Sequence, residues 1–278
     1  MGQPIELILM RQLAEYLVMP IFLVDPAGDL LFYNEPAEEM LGRRFDEAGP
    51  MPAAEWSTAF SQRDDDGAPI ASDHLPLMIA LRQHRPAHRT FWITGHDGVA
   101  RRLGVTAFPL EGSAGRHLGA VALFWGVHDP GGQAAPEAQP ALRSDGASPR
   151  QHAIEVIMMR HLAGYLAMPI LLFDPEGNLL YYNKPAEAIY GRPLAESEMR
   201  SEGWVRTIPL FDEDGSPIPP HARPMTVALK EHHPVHRRLR ISDLEGASRR
   251  IESTAFPLEG QGRRGLGGVV IFWELEPA

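Results

Sequence analysis

The sequence has no cysteine among its 278 residues. That removes disulfides, thiolate metal ligands, cysteine nucleophiles and thiol-linked chromophores together, and it fits a reducing compartment. Long apolar runs are missing as well. The longest, LGAVALFWG from Leu118 and LGGVVIFWE from Leu266, fall well short of the roughly 20 residues a membrane-spanning helix needs. No basic-then-apolar leader is present, so a cytoplasmic protein with no membrane partner is expected. Positive charge is scarce: 26 Lys and Arg stand against 36 Asp and Glu, for a net charge of −10. No basic block offsets this, which argues against a nucleic-acid partner. Also lacking are a Gly-rich phosphate loop, a nucleophile elbow and a metal-site signature. Glu38 and Glu187 each fall in the first turn of a capped helix, where a carboxylate is accounted for by the helix dipole. No enzyme is expected.

What the chain does have is a repeat. TAFPLEG occupies Thr106–Gly112 and recurs unchanged at Thr254–Gly260. MRQLAEYLVMPIFLVDPAGDLLFYNEPAEEMLGR (Met10–Arg43) returns as MRHLAGYLAMPILLFDPEGNLLYYNKPAEAIYGR (Met159–Arg192), offset by 149. One residue is then lost and the offset settles at 148, pairing Trp56 with Trp204 and Trp125 with Trp273. Between the copies, His128–Arg150 is rich in Pro, Ala and Gly and lacks apolar periodicity. The chain therefore divides into one domain over 1–127, a flexible linker over 128–150 and a second domain over 151–278.

Each copy opens with an amphipathic helix, striped by Ile5, Ile8, Leu9, Leu13, Tyr16 and Leu17 in the first and by Ile154, Ile157, Met158, Leu162, Tyr165 and Leu166 in the second. Pro20 and Pro169 end these helices. The DPAG and DPEG segments at Asp25 and Asp174 suit type I turns, each between two apolar runs, which makes a β-hairpin. Asn34 and Asn183 are placed to cap short helices, with Pro36 or Pro185 in the first turn and Gly42 or Gly191 beyond the end. A longer helix follows through LPLMIALRQ or ARPMTVALK, then three strands. In TAFPLEG, Thr106 and Phe108 alternate with Ala107 as a half-buried strand would, and Pro109 lies near the turn. The order is that of an α+β domain on one antiparallel sheet.

That series, with DPAG/DPEG, YNEPAEEMLGR/YNKPAEAIYGR, DGAPI/DGSPI before the long helix, TAFPLEG and a Gly-started last strand (Gly119, Gly267), resembles the PAS sensory domain, twice over. The resemblance implies two PAS domains, each a five-stranded antiparallel sheet with short helices on one face and preceded by an amphipathic helix. It implies a sensor or interaction module whose cavity, between sheet and helices, holds haem, flavin, a small metabolite or nothing. Thiol-linked photochemistry, which some members use, is closed to a chain without cysteine.

The implied cavity is lined by Phe22, Val24, Tyr33, Leu77, Leu81 and Phe91 in the first domain and by Leu171, Phe173, Tyr182, Met225, Leu229 and Leu239 in the second. These walls are almost wholly apolar, which favours a hydrophobic ligand or plain packing over a charged metabolite. Tyr33 and Tyr182 directly precede the capping Asn; either each is a phenol facing a ligand or it is a hydrogen-bonded core tyrosine. His74 and His221, near the start of the long helix, are the weak haem candidates, but they stand one position out of register with each other. His84/His88 and His232/His236 are in register, and the intervening Pro86 and Pro234 break metal-binding helix geometry. No metal and no cofactor are predicted. On the opening helices, Leu7, Met10, Ala14 and Leu17, with Val156, Met159, Ala163 and Leu166, form a second seam suited to docking another helix, within the chain as a pseudo-dimer or between chains as a homodimer.

The reading is a sensory or regulatory signal-transduction module that binds a small hydrophobic ligand, an unidentified signalling partner, or both. A ligand-free adaptor for dimerisation and a haem sensor are the alternatives. Trp92 becomes Arg240 and Leu41 becomes Tyr190 between the copies, so the two domains need not share a ligand.

Overall fold

The structure, a computed structural model, describes residues 19–112, 115–127, 166–199, 207–243, 246–260 and 264–275, with Trp204 and single positions in the segments that open each repeat (7, 8, 10, 11, 14, 159, 160, 163 and 164). The chain divides into two compact units, Met1–Ala147 and Ser148–Ala278. The segment read as a linker, 128–150, lies outside the described residues.

In the first unit a hairpin of β1 (Ile21–Val24) and β2 (Leu30–Tyr33) leads into α1 (Glu35–Leu41), α2 (Phe45–Ala48) and α3 (Ala53–Ala59). The longer α4 (Pro76–Gln83) follows, then β3 (Ala87–Thr94), β4 (Ala100–Gly112) and β5 (Arg116–Gly126). The hairpin turn forms where Asp, Pro and Gly place it: Gly28 N–H donates to the Asp25 carbonyl at 3.0 Å, and Gly28 takes a φ of 92° that other residues resist. The sheet is antiparallel throughout, in the order β2-β1-β5-β4-β3, so the first hairpin and the last strand meet at its centre.

The second unit repeats this with β6 (Ile170–Phe173), β7 (Leu179–Tyr182), α5 (Lys184–Tyr190), α6 (Glu196–Met199), β8 (Leu210–Phe211), α7 (Pro224–Glu231), β9 (Val235–Ser242), β10 (Ser248–Gly260) and β11 (Arg264–Glu274). Its sheet has six strands, not the expected five: the two-residue β8 adds to the edge of β9 through Leu210–Ile241 and Phe211–Arg240. The first unit makes the same contact as one bridge, Arg63 with Trp92. DGAPI and DGSPI hold both in place, by turns that return Ile70 to Gln62 and Ile218 to Leu210.

The short helix after each hairpin is set by its caps. Asn34 and Asn183 have extended backbones and accept from the third residue on, Ala37 and Ala186, while Gly42 and Gly191 close the far ends in left-handed conformations. The longer helices α4 and α7 begin at Pro76 and Pro224 and end on left-handed His84 and His232. Their apolar faces pack on one side of the sheets, against Leu103, Val105, Ala107 and Phe124 in the first unit and Ile251, Ala255 and Phe272 in the second.

One strand expectation changes. TAFPLEG is not half-buried: Thr106 and Phe108 are as buried as Ala107 on the opposite face, and Ile21, Leu23, Phe32, Val121, Leu123 and Trp125 are buried too. The opening segment accounts for part of this cover, since the Arg11 guanidinium lies over the Phe32 ring, 4.9 Å from its centre, and Arg160 lies over Tyr181 at 5.2 Å. No helix among the described residues is long and apolar enough to cross a membrane.

Candidate functional site

The space between α4 and the sheet of the first unit is nearly filled. A void of about 80 Å³ remains, lined by Phe22, Leu77 and Phe91 with Leu41, Trp56, Leu75 and Val105 among others. The corresponding space of the second unit is a cavity of about 720 Å³. It lies within the size range of ligand sites, roughly 300–1,000 Å³. The two are the same place in the fold. Every lining residue of the smaller except Phe60 has its repeat counterpart in the wall of the larger.

Two features separate them. Large side chains in the first unit become smaller in the second, Phe22 to Leu171 and Phe91 to Leu239. The hairpin turn also behaves differently. In the first unit Trp56 Nε1 donates to the Gly28 carbonyl at 2.9 Å, and Ala53 N–H donates to Asp29 Oδ1 at 3.0 Å, which pins α3 against the turn. Gly28 is packed so closely there that a Cβ would press on Leu81 and Ala53, whereas one at Gly177 would meet nothing. Pro175, Glu176 and Gly177 instead border the larger cavity.

The walls differ in chemistry too. Leu41, Leu75 and Val105 in the first unit are Tyr190, Arg223 and Ser253 in the second, all three buried. Tyr190 packs between Trp204 and Phe272, with ring centres 6.0 and 5.9 Å away. Burial pushes its phenol well above the ordinary tyrosine range, against a smaller opposing pull from the Arg223 charge. Burial also lowers the Arg223 guanidinium, which the Tyr190 phenol partly counters.

Of the residues expected to line cavities, Phe22, Leu77 and Phe91 border the small void and Leu171, Phe173, Met225, Leu229 and Leu239 border the large one. Val24 and Leu81 are buried in the first core without lining it. Neither tyrosine before the caps lines either of these two spaces. Tyr33 stacks near Phe22 and donates its hydroxyl to the Arg43 carbonyl at 3.1 Å, while Tyr182 Oη accepts from Leu194 N–H at 2.9 Å. Both close the loop after the capped helix, Tyr33 from within the core and Tyr182 half-buried at its edge. His74 is exposed and lines neither space; His221 is exposed at the mouth of the large cavity. Among the described residues, no group of three or more His, Cys, Asp or Glu gathers to hold a metal ion. The in-register histidines His88 and His236 bond Thr106 and Thr254 at 2.8 Å, on the other face of the sheet.

On the opening segments, Leu7, Met10, Ala14, Met159, Ala163 and Leu166 are buried; Leu17 and Val156 lie outside the described residues. Asn34 and Asn183 tie these segments down. Nδ2 of Asn34 donates to the carbonyls of Ala14 and Met19 at 2.9 and 2.8 Å, and Asn183 does the same to Ala163, Leu166 and Met168.

The sequence model of the PAS domain matches the chain twice, over 9–75 and 158–222, once in each unit. The chain is a tandem PAS-domain protein. It is accordingly a sensory, signal-transduction module. Comparison with curated proteins gave no match. Among solved structures, the LOV protein of Rhodobacter sphaeroides is similar at 14% identity, over 46% of this chain and 71% of that one, with a TM-score of 0.37. The PAS domain of BvgS from Bordetella pertussis is similar at 18% identity, over 45% and 88%, with a TM-score of 0.31. An RNA-binding light-oxygen-voltage receptor is similar at 12% identity over 92% of this chain and 95% of its own length, with a TM-score of 0.33. Within this tandem PAS protein the residues missed by sequence reasoning are Tyr190 as a cavity wall, Arg223 and Ser253. The signal for each was a polar residue opposite an apolar one in the other repeat.

Proposed function

We propose that the second PAS domain is the sensing one, taking a small, largely apolar molecule into its cavity, and that the first is a filled, ligand-free domain serving as scaffold. The observation that carries this is the contrast between about 720 Å³ and about 80 Å³ at one place in the fold. Large apolar voids lose packing contacts on all sides, so an occupant stabilises the domain that holds it. Neither domain is proposed to catalyse a reaction, and the cavity is proposed for binding alone.

Transmission follows from the hydrogen-bonded path out of the cavity. Leu171 and Phe173, on β6, form part of the wall. At the start of that strand Ile170 N–H donates to Asn183 Oδ1, whose amide holds Ala163, Leu166 and Met168. A ligand that shifts β6 therefore biases the opening segment of the second repeat, and a partner protein reads that bias. Native mass spectrometry of freshly purified full-length chain, with an ultraviolet–visible spectrum, tests the reading. Colourless protein carrying the mass of one small molecule supports it. A Soret or flavin band would replace it with a cofactor sensor, and a bare chain that takes up no apolar compound would leave the adaptor.

A further inference from the structure

Away from both cavities, one corner of the first unit holds an imidazole with nothing to bond. His117 lies near the start of β5, and both of its ring nitrogens are buried without a hydrogen-bond partner among the described residues. A neutral imidazole carries one N–H and one lone pair, and leaving both buried and unpaired is unfavourable. The His84 ring meets it at a steep angle, 75°, with ring centres 4.3 Å apart. His84 ends α4 in a left-handed conformation, so the helix and the β4–β5 hairpin deliver one imidazole each. Glu111 stands opposite His117 in the β4–β5 register, and its carboxylate makes no hydrogen bond or salt bridge among the described residues. The second repeat shows how far such a carboxylate reaches. There Glu259 Oε1 meets His232 Nδ1 at 2.8 Å, at the positions of Glu111 and His84, while Gly265 stands in place of His117.

We infer that His84, His117 and Glu111 form a site for one divalent transition-metal ion of the zinc type, present in the first domain alone. As the side chains stand, the two imidazoles are together and the carboxylate is not yet gathered with them. The swing that Glu259 makes in the second repeat is the one Glu111 needs. Two imidazoles on one tetrahedral ion, with metal–nitrogen bonds of about 2.0–2.1 Å, place their ring centres roughly 5 Å apart. The pair has only to open slightly, and His84 is exposed and able to turn. The ion takes the lone pair that His117 now buries without a partner. Two imidazoles and a carboxylate are a donor set that zinc accepts, with water in the fourth place. Bound there, it clamps the end of α4 to the β4–β5 hairpin. The second domain, with glycine at position 265, keeps only the histidine and the carboxylate, which satisfy each other.

Isothermal titration of the untagged full chain, stripped with a chelator, with zinc chloride tests this. Uptake of a single zinc ion per chain is expected at this site. His84→Asn, which suits the left-handed backbone, His117→Gln and Glu111→Gln should each weaken that binding at least ~10-fold, the loss of one ligand. His232→Asn, at the matching corner of the second domain, should leave it within about twofold. Cobalt in place of zinc provides a visible absorption band that both histidine variants should lose. Circular dichroism establishes that each variant is folded, and because His84 and His117 lie on different elements, either variant carries the test without the other. No zinc uptake by the wild-type chain, or uptake at full strength by any folded variant of the three, would overturn the site.

Discussion

Asn183 donates its side-chain amide to the carbonyl of Ala163, 20 residues earlier, at 3.0 Å, and Asn34 makes the equivalent bond to Ala14 at 2.9 Å. A side chain that looks like a simple helix cap is thus also the tie between the opening segment, the first strand and the capped helix. Asn183 Oδ1 accepts from Ile170 and Ala186 while Nδ2 serves three carbonyls, all in buried surroundings.

Replacing Asn183 with alanine should therefore cost more than an ordinary cap. Buried donors and acceptors left without partners cost about 1–3 kcal/mol each, and about 3 kcal/mol is expected in total. Asn183→Asp should not rescue, since it keeps the acceptor but turns a charge toward three carbonyls. Urea unfolding of both variants checks this, and a loss below about 0.5 kcal/mol would show that the tie contributes little to stability.

The start of the last strand is equally intolerant. Gly119 and Gly267 have φ values of 126° and 112°, and a Cβ on either would run into the carbonyl of Val24 or Phe173 on the neighbouring strand. Strain and clash together predict that Gly267→Ala lowers stability by about 2–5 kcal/mol. Gly265→Ala, in open space two residues away, serves as the control and should change little. Thermal melts followed by circular dichroism would separate the two.

The second cavity should be closable from within. Leu171→Phe with Leu239→Phe restores the side chains of Phe22 and Phe91 and fills the wall of the larger space. Loss of the co-purifying mass is expected, with stability of the ligand-free protein unchanged or raised by about 1 kcal/mol. Retention of the ligand by the double variant would place it elsewhere.

Tyrosine ionisation gives a pH prediction of known sign. Burial is the main cause that pushes the Tyr33 phenol up to about 12 from its ordinary 10.0, with Arg43 pulling the other way. The folded state then holds a proton that the unfolded chain releases, so this contribution to stability is complete below pH 10 and is lost as pH rises toward 12. Tyr190 is shifted in the same direction by deeper burial. Stability measured by urea between these limits should fall, and Tyr33→Phe should flatten part of the fall. A profile unchanged by that substitution would place the linkage elsewhere.

Much of the architecture was readable because it is written in local chemistry. Asp-Pro-x-Gly fixes a turn within four residues, Asn with Pro and Gly brackets a short helix, and an unchanged heptad signals duplication. The place of the cavity came from the resemblance to PAS domains, and of the residues it implied, Val24, Leu81, Tyr33 and Tyr182 line neither of the two spaces. The two readings of Tyr33 and Tyr182 stayed open in the sequence for a physical reason. Strand alternation gives the face of the sheet, but whether a hydroxyl at that face meets a ligand or the loop beyond depends on where the loop folds back, and Arg43 and Leu194 come from that loop.

The sequence by itself determined a duplicated α+β unit, its turns and caps, and the absence of thiol chemistry, since each depends on residues near one another in the chain or on composition. Only the tertiary structure decided that one copy is filled and the other hollow. A cavity is the remainder left when many side chains from separate strands and helices meet, so small changes such as Phe22 to Leu171 and Phe91 to Leu239 matter only in sum. The place of Arg223 needed the structure for the same reason: an arginine read from sequence belongs on the surface, and its burial is fixed by the helix, turn and sheet that surround it.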